Sequence, residues 1–249
     1  MEKKRSGEYT FKVLPFEVDF RGKITLPHLT NYLLIAAGYH AEECGFGILS
    51  INRNNLSWVL SRLVIEMFHY PEHYDEIQVQ TWVENVMRTF SMRNFAILNR
   101  DGQALGYARA VWAMIDQSTR KPVDLTQTAI SEFINNNKAC PIEKSGKIPF
   151  LTGEPHETFT VKYSDIDINR HFNSGKYVEH VIDVFSLHEF HKRDIRRFEI
   201  EFITEGIFNE TISLYKQENP DNEFFIELKN EKGQTLSKSR VIFIHTATP

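Results

Sequence analysis

Three polar residues of different chemistry stand at alternate positions within residues 163–177. Asp167, Asn169 and His171 supply a carboxylate, an amide and an imidazole immediately before a segment with helix-start signals. A carboxylate and an imidazole can accept or hold a proton, and an amide can orient a substrate, which together suits hydrolysis. Each residue alone is commonly structural, as a turn residue or a surface histidine. Their combination at two-residue spacing predicts a catalytic turn.

The same segment also resembles the start of a calcium-binding loop, because Asp165 precedes Asp167 and Asn169 at the same spacing. Such a loop needs glycine at its sixth position and glutamate at its twelfth. Arg170 and Lys176 stand there instead, and two cations would repel Ca²⁺. No phosphate-binding glycine loop or nucleophile elbow is present either, so we predict no metal and no cofactor.

Composition excludes several classes of protein. The chain has 249 residues, 41% of them hydrophobic, and a formal net charge of −4, which gives no electrostatic case for nucleic acid. It has no apolar stretch long enough to span a membrane and no secretion signal after its charged start. The two cysteines, Cys44 and Cys140, suit a reducing compartment. Nothing places either beside His171, so we interpret both as buried or incidental thiols and expect a cytoplasmic protein.

The chain contains two copies of one unit. In each copy a Phe-x-Val segment and an aspartate lead into a helix-like apolar run, and strands with hairpin turns at Asp101-Gly102 and Lys232-Gly233 follow. The order predicts an α+β unit in which one helix packs on an antiparallel sheet. At a constant offset, Phe11 pairs with Phe159, Val13 with Val161, and Asp19 with Asp167.

The helix of the first copy is predicted to start near Pro27 and to stop at Gly45. The helix of the second copy is predicted to begin at Asn173 or Ser174, with a buried stripe that reaches Phe185.

Four of the nine prolines fall between the two copies, which predicts a boundary there. We predict an N-terminal domain at 1–125, a linker at 126–157 and a C-terminal domain at 158–249. The first copy keeps Asp19 but has no amide or imidazole at the positions of Asn169 and His171. One chemical site per chain, in the second copy, is therefore expected.

These residues together resemble the active-site segment of the acyl-acyl carrier protein (acyl-ACP) thioesterases of plants and bacteria. The pattern is Asp167-x-Asn169-x-His171-x-Asn173, which runs into Lys176-Tyr177. The likeness covers about residues 8 to 245, and several separated motifs occur in the family's order. In the first half these motifs are WVLSR at 58–62, YP at 70–71, TW at 81–82 and WAMID at 112–116.

The resemblance implies tandem hotdog folds, each an antiparallel sheet wrapped round a long central helix. It implies hydrolysis of a fatty acyl thioester carried by acyl carrier protein. The family's catalytic set falls on Asp167, Asn169, His171 and Glu205. Many plant members carry a cysteine directly after that glutamate, whereas this chain has Gly206. A water activated by a carboxylate is therefore expected to replace a cysteine nucleophile, and the absence of a plastid transit peptide implies a bacterial enzyme.

Two features of the mechanism are open at this level. Strict strand alternation puts Glu205 on the face opposite Phe198 and Phe202, unless a bulge or the strand end re-aims it. Backbone N–H groups from Asn173 to Gly175 are candidates for an oxyanion hole.

Rival functions are also open. They are an acyl-CoA thioesterase, a hotdog dehydratase and a non-catalytic acyl-binding protein. Acyl chain length cannot be read from the sequence. Since the tandem already supplies one hotdog pairing, the oligomeric state, a homodimer included, stays open.

Overall fold

The computed structural model describes residues 5–135 and 137–245. The chain divides into two compact units, Met1–Lys144 and Ser145–Pro249. This division falls inside the predicted linker, whose first part belongs to the first unit and whose remainder belongs to the second. Within the described residues, no helix is long and apolar enough to cross a membrane.

The first unit is a five-stranded antiparallel sheet with one long helix. Neighbouring strands lie in the order β1, β3, β4, β5, β2, and every pairing is antiparallel. The elements are β1 (Ser6–Lys12), α1 (Leu26–Glu43), α2 (Ile48–Ile51), β2 (Leu56–Met67), β3 (Glu76–Val86), β4 (Ser91–Leu98) and β5 (Ala104–Asp116).

Helix α1 has the bounds that its sequence predicts. Pro27 lies in the first turn, where a missing N–H costs nothing, and the chain leaves the helix at Gly45 with a φ of 80°. Leu29 and Leu33 are fully buried. Burial of this apolar face, rather than helix propensity, supplies most of the stability of such a helix.

The second unit repeats the design. Its strand order is β7, β10, β9, β8, β6, again antiparallel throughout. The elements are β6 (Glu157–Thr160), α3 (Ser174–Asp183), α4 (Leu187–Lys192), β7 (Arg193–Phe202), β8 (Thr211–Asn219), β9 (Glu223–Asn230) and β10 (Thr235–His245). Gly102 and Gly233 occupy the two predicted hairpin turns with φ of 78° and 71°, which confirms those turns.

Helix α3 is shorter than its apolar stripe predicts. It begins after the cap Asn173 and ends at Asp183, so Phe185 lies beyond it. Phe185 is nevertheless buried, because its ring meets Phe224 at 5.1 Å and Phe243 at 4.9 Å between centroids. Periodicity identified the buried side chain correctly but not the element that carries it.

The extended segment at residues 145–151 is hydrogen-bonded to two buried carboxylates of the second sheet. Glu199 accepts hydrogen bonds from the Ser145 hydroxyl at 2.7 Å and from the Gly146 N–H at 2.9 Å. Glu227 accepts the N–H of Leu151 in the same way. Both carboxylates have fully buried side chains, so these bonds satisfy charged groups that would otherwise be costly to bury.

Candidate active site

The turn that carries Asn169 and His171 is built by the carboxylate of Asp167. Its Oδ1 accepts the N–H of Asn169 at 2.8 Å and the N–H of His171 at 3.1 Å. The Asp167 N–H donates to the His171 carbonyl at 2.9 Å, and Arg170 at the tip has a φ of 65°. Asp167 therefore holds the turn, while the side chains of the other two residues stay available.

Glu205 meets His171 because β7 ends early. The strand stops at Phe202, so strict alternation does not extend to Glu205. An isolated antiparallel bridge between His171 and Ile207 then brings the following segment beside the turn. The Nδ1 atom of His171 lies 3.4 Å from Oε1 of Glu205, with 28% and 39% of the two side chains exposed. Strand alternation would direct Glu205 to the opposite face of the sheet, but this rule does not apply beyond the end of β7.

Asn169 is placed differently from the His171–Glu205 pair. It is exposed, and its side-chain amide makes no hydrogen bond to any residue of the described chain. Only its backbone N–H is engaged, by Asp167. The amide is therefore presented to solvent at the tip of the turn, where a substrate carbonyl can meet it.

The helix-start amides are mostly occupied. The N–H of Asn173 donates to the Asp165 carbonyl at 2.8 Å, and the N–H of Gly175 donates to the side chain of its cap, Asn173, at 2.8 Å. Of the three groups expected for an oxyanion hole, only Ser174 N–H has no partner among the residues described by the structure. An oxyanion bound here could therefore accept a backbone hydrogen bond from Ser174 N–H alone among these three groups, and its other donors would be side chains.

The structure adds Tyr177 of α3 to the neighbourhood of Glu205. Its hydroxyl accepts the Gly206 N–H at 3.1 Å and lies 3.4 Å from the Thr204 carbonyl, to which it donates. Burial raises the pKa of Tyr177 well above its usual value, so the hydroxyl keeps its proton. The sequence placed Tyr177 in a buried stripe and at the end of the family pattern, but assigned it no role. Its counterpart in the first copy is Leu29.

The position after Glu205 has little room. A Cβ at Gly206 would lie 3.1 Å from the Phe172 Cβ and 3.1 Å from the Tyr177 hydroxyl, tighter than ordinary packing. Any larger residue here requires these neighbours to give by a few tenths of an ångström. A cysteine at this position would require the neighbouring aromatic residues to shift.

The first unit contains the same turn without the same chemistry. Asp19 Oδ1 accepts the N–H of Arg21 at 2.8 Å and of Lys23 at 3.3 Å, and Gly22 has the positive φ of 79° found at Arg170. A cation thus stands where the second unit has His171. The aspartate is the structural part of the motif in both copies.

The structure also bears on the calcium loop and on the two cysteines that the sequence analysis considered. The Asp165 carboxylate accepts the N–H of Lys162 in its own turn. Among the described residues, no cluster of three or more histidine, cysteine, aspartate or glutamate side chains could hold a metal ion. Cys44 and Cys140 both lie in the first unit, and burial raises the pKa of the Cys140 thiol, which makes it a poor nucleophile.

Comparison with protein families assigns both halves of the chain. Residues 4–133 match the acyl-ACP thioesterase N-terminal domain, and residues 152–245 match the acyl-ACP thioesterase C-terminal domain. The chain belongs to the acyl-ACP thioesterase family. The turn of Asp167 and Glu205 both lie in the part that matches the C-terminal domain.

Individual relatives agree with this assignment. The structure of an acyl-ACP thioesterase from Bacteroides thetaiotaomicron is 44% identical, covers 98% of this chain and 100% of its own, and superposes with a TM-score of 0.92. A 12:0-ACP thioesterase from Umbellularia californica, 20% identical with a TM-score of 0.84 and coverage of 97% and 98%, shows the same fold. Oleoyl-acyl carrier protein thioesterase 2 of Arabidopsis thaliana is 25% identical over 96% of this chain and 70% of its own length. A Gossypium hirsutum palmitoyl-acyl carrier protein thioesterase is 26% identical over 77% of this chain and only 50% of its own.

These findings confirm the predicted family, the α+β tandem hotdog fold and the activity class, hydrolysis of fatty acyl-ACP thioesters. The roles of the individual site residues remain predictions.

Proposed function

We propose that this chain releases free fatty acid from acyl-ACP by means of a water activated at Glu205 and His171. The observation that carries the proposal is the 3.4 Å approach of Nδ1 of His171 to Oε1 of Glu205. A carboxylate and an imidazole at this distance can share the protons of one water molecule. Long catalytic contacts in ligand-free enzymes commonly tighten when substrate binds.

Proton placement follows from the pair's geometry. Two acceptors repel at close range, so a neutral His171 carries its proton on Nδ1, facing Glu205, and Nε2 is left as an acceptor. The second carboxylate oxygen of Glu205 is also an acceptor. A water molecule that donates one hydrogen to each has its lone pair free for attack, which lowers the entropic cost of reaching the thioester.

The chemical step then needs one proton acceptor and one anion site. The water oxygen bonds to the thioester carbonyl carbon as Glu205 takes a proton, and the carbonyl oxygen becomes an oxyanion. The Asn169 amide and Ser174 N–H supply donors for that oxyanion. Collapse breaks the carbon–sulfur bond, and Glu205 returns the proton to the departing thiolate of the phosphopantetheine arm.

Asp167 acts indirectly, by positioning other residues of the site. It holds the backbone of Asn169 and His171 by two hydrogen bonds and needs no contact with substrate. This assignment is supported by Asp19, which performs the same task in a unit that lacks the catalytic set.

The test of the reaction is turnover on matched substrates. One fatty acyl chain presented on acyl carrier protein and on CoA should give a higher kcat/KM with the carrier, because the 44% identical relative is named an acyl-ACP thioesterase. Preference for CoA would favour the acyl-CoA thioesterase, and no turnover on either would favour an acyl-binding protein. Water loss from a 3-hydroxyacyl thioester, without thiol release, would identify a dehydratase.

We further propose that the chain acts in a bacterial cytoplasm, as supported by its similarity to a protein of Bacteroides thetaiotaomicron. Cell fractionation tests the location. Light scattering tests whether the chain forms a homodimer.

A further inference from the structure

One side chain holds the backbone on both sides of Glu205. The Tyr177 hydroxyl accepts from the N–H of Gly206 and donates to the carbonyl of Thr204, the two neighbours of Glu205. β7 ends at Phe202 and the backbone bonds to β10 reach only as far as Thr204, so ladder hydrogen bonds no longer fix Glu205 and Gly206. Tyr177 itself is 3% exposed, so its ring cannot easily move.

A second contact fixes the same segment from the catalytic turn. The N–H of Phe172 donates to the Gly206 carbonyl at 2.9 Å. The ring of Phe172 packs on that of Tyr177 with centroids 4.1 Å apart. The turn, α3 and the Glu205 segment thus meet at Tyr177.

The first unit supplies an internal comparison. There the N–H of Ile24 donates to the Pro71 carbonyl at 2.9 Å, as that of Phe172 donates to Gly206, so Pro71 corresponds to Gly206. The helix residue that corresponds to Tyr177 is Leu29.

Leucine has no hydroxyl and proline has no N–H, so both partners of the hydrogen bond are missing. The unit that lacks the catalytic set also lacks this contact, although it keeps the aspartate-built turn.

We propose that Tyr177 is a positioning residue, whose hydroxyl fixes the backbone of Thr204 and Gly206 so that the Glu205 carboxylate faces His171. The proposal rests on the proposed function, because it takes Glu205 as the base. It also gives a reason for glycine after Glu205, since a side chain at residue 206 would press on the same hydroxyl.

The test is a double-mutant cycle between Tyr177→Phe and Glu205→Gln. Tyr177→Phe keeps the ring and removes the hydroxyl. It should lower kcat on the order of 10- to 10²-fold, as misplacement of a catalytic group does, and leave KM within about twofold. In the Glu205→Gln background the same substitution should cost less than about threefold, because the carboxylate that it positions is gone.

Matched controls separate this role from folding. Tyr215→Phe, on β8 of the same unit, removes a hydroxyl remote from the Glu205 segment and should leave kcat unchanged. The melting temperatures of all variants are measured beside their rates. Gly206→Ala should lower kcat as Tyr177→Phe does, and the two together should cost less than the product of their separate effects.

The outcomes are distinct. An equal loss from Tyr177→Phe in both backgrounds would assign the hydroxyl a general structural role and overturn the proposal. Full kcat in Tyr177→Phe, alongside a normal loss in Glu205→Gln, would overturn only the positioning role. Full activity in Glu205→Gln would overturn the assignment of the base itself.

Discussion

Lys23 of the first unit occupies the same backbone position as His171 of the second. Each residue ends a turn whose aspartate, Asp19 or Asp167, accepts the N–H groups of the turn through Oδ1. A cation cannot act as an acceptor, whereas a neutral imidazole can. The first unit therefore has the aspartate-built turn alone, whereas the second unit has the turn together with an imidazole. The first unit can serve as an internal control for the second.

Glu205→Gln should lower kcat on the order of 10²- to 10⁴-fold, which is the usual contribution of a positioned base. The substitution keeps the shape of the side chain and removes its capacity to take a proton. Steady-state hydrolysis of acyl-ACP measures the effect. Glu218→Gln, an exposed position on β8, is the matched control and should behave as wild type. Wild-type turnover by the Glu205 variant would remove it from the mechanism.

Asp167→Ala and Asp19→Ala form a matched pair. Each removes a carboxylate that accepts two backbone N–H groups, so each should lower the free energy of unfolding by about 1 to 2 kcal/mol, and Asp19→Ala by slightly more because Asp19 also pairs with Arg21. Only Asp167→Ala should also lower kcat by an order of magnitude or more, since its turn places Asn169 and His171. Denaturant unfolding and kinetics are measured on both. Equal kinetic loss in the two variants would contradict the assignment of one site per chain.

Replacement of both cysteines by alanine should leave the enzyme active, with kcat within about threefold of wild type. Cys140 is buried, its thiol pKa is raised by that burial, and its sulfur lies 3.9 Å from the Ala108 carbonyl. Cys44 lies 3.6 Å from a ring nitrogen of His40 in the first unit. The rate of the double variant and the response of wild type to iodoacetamide test this. Complete loss of turnover in a folded double variant would restore a cysteine nucleophile.

Glu199→Gln should destabilise the second unit by about 3 kcal/mol at neutral pH, because it removes the carboxylate that pairs with the buried Arg197 at 2.7 Å. Burial alone would raise the pKa of Glu199, but hydrogen bonds from Arg197 and Ser145 outweigh it and hold the pKa below its ordinary value of 4.5. A lowered native pKa stabilises the folded state above about pH 4.5, and this contribution is lost as the pH falls through the native pKa.

The stability difference between wild type and Glu199→Gln should therefore shrink below pH 4.5. Thermal unfolding at a series of pH values measures it, with Glu218→Gln as the control for a surface charge. A difference that stays constant from pH 7 to pH 3 would show that folding does not lower the pKa of Glu199, and a difference that grows as the pH falls would show that the folded carboxyl is neutral.

The sequence by itself determined the local parts of this protein. These parts depend on contacts between residues close in the chain. They are the hairpins at Gly102 and Gly233, the start of α1 at Pro27 and the turn of Asp167. Such contacts leave a pattern in residue type and spacing. The family motifs predicted the fold and pointed to Glu205 as a candidate for the same reason, since they are patterns of residue type and order.

Only the tertiary structure decided how those parts meet. Two of the contacts at the site join residues from separate elements. They are the bridge from His171 to Ile207 and the hydrogen bond between the Tyr177 hydroxyl and Gly206, and both follow the end of β7 at Phe202. Strand alternation is a local rule, so it left the direction of Glu205 open at the point where the strand ends. The occupied N–H of Asn173 was not predicted either, because its partner, the Asp165 carbonyl, is set by the path of the backbone through the turn and not by residue type.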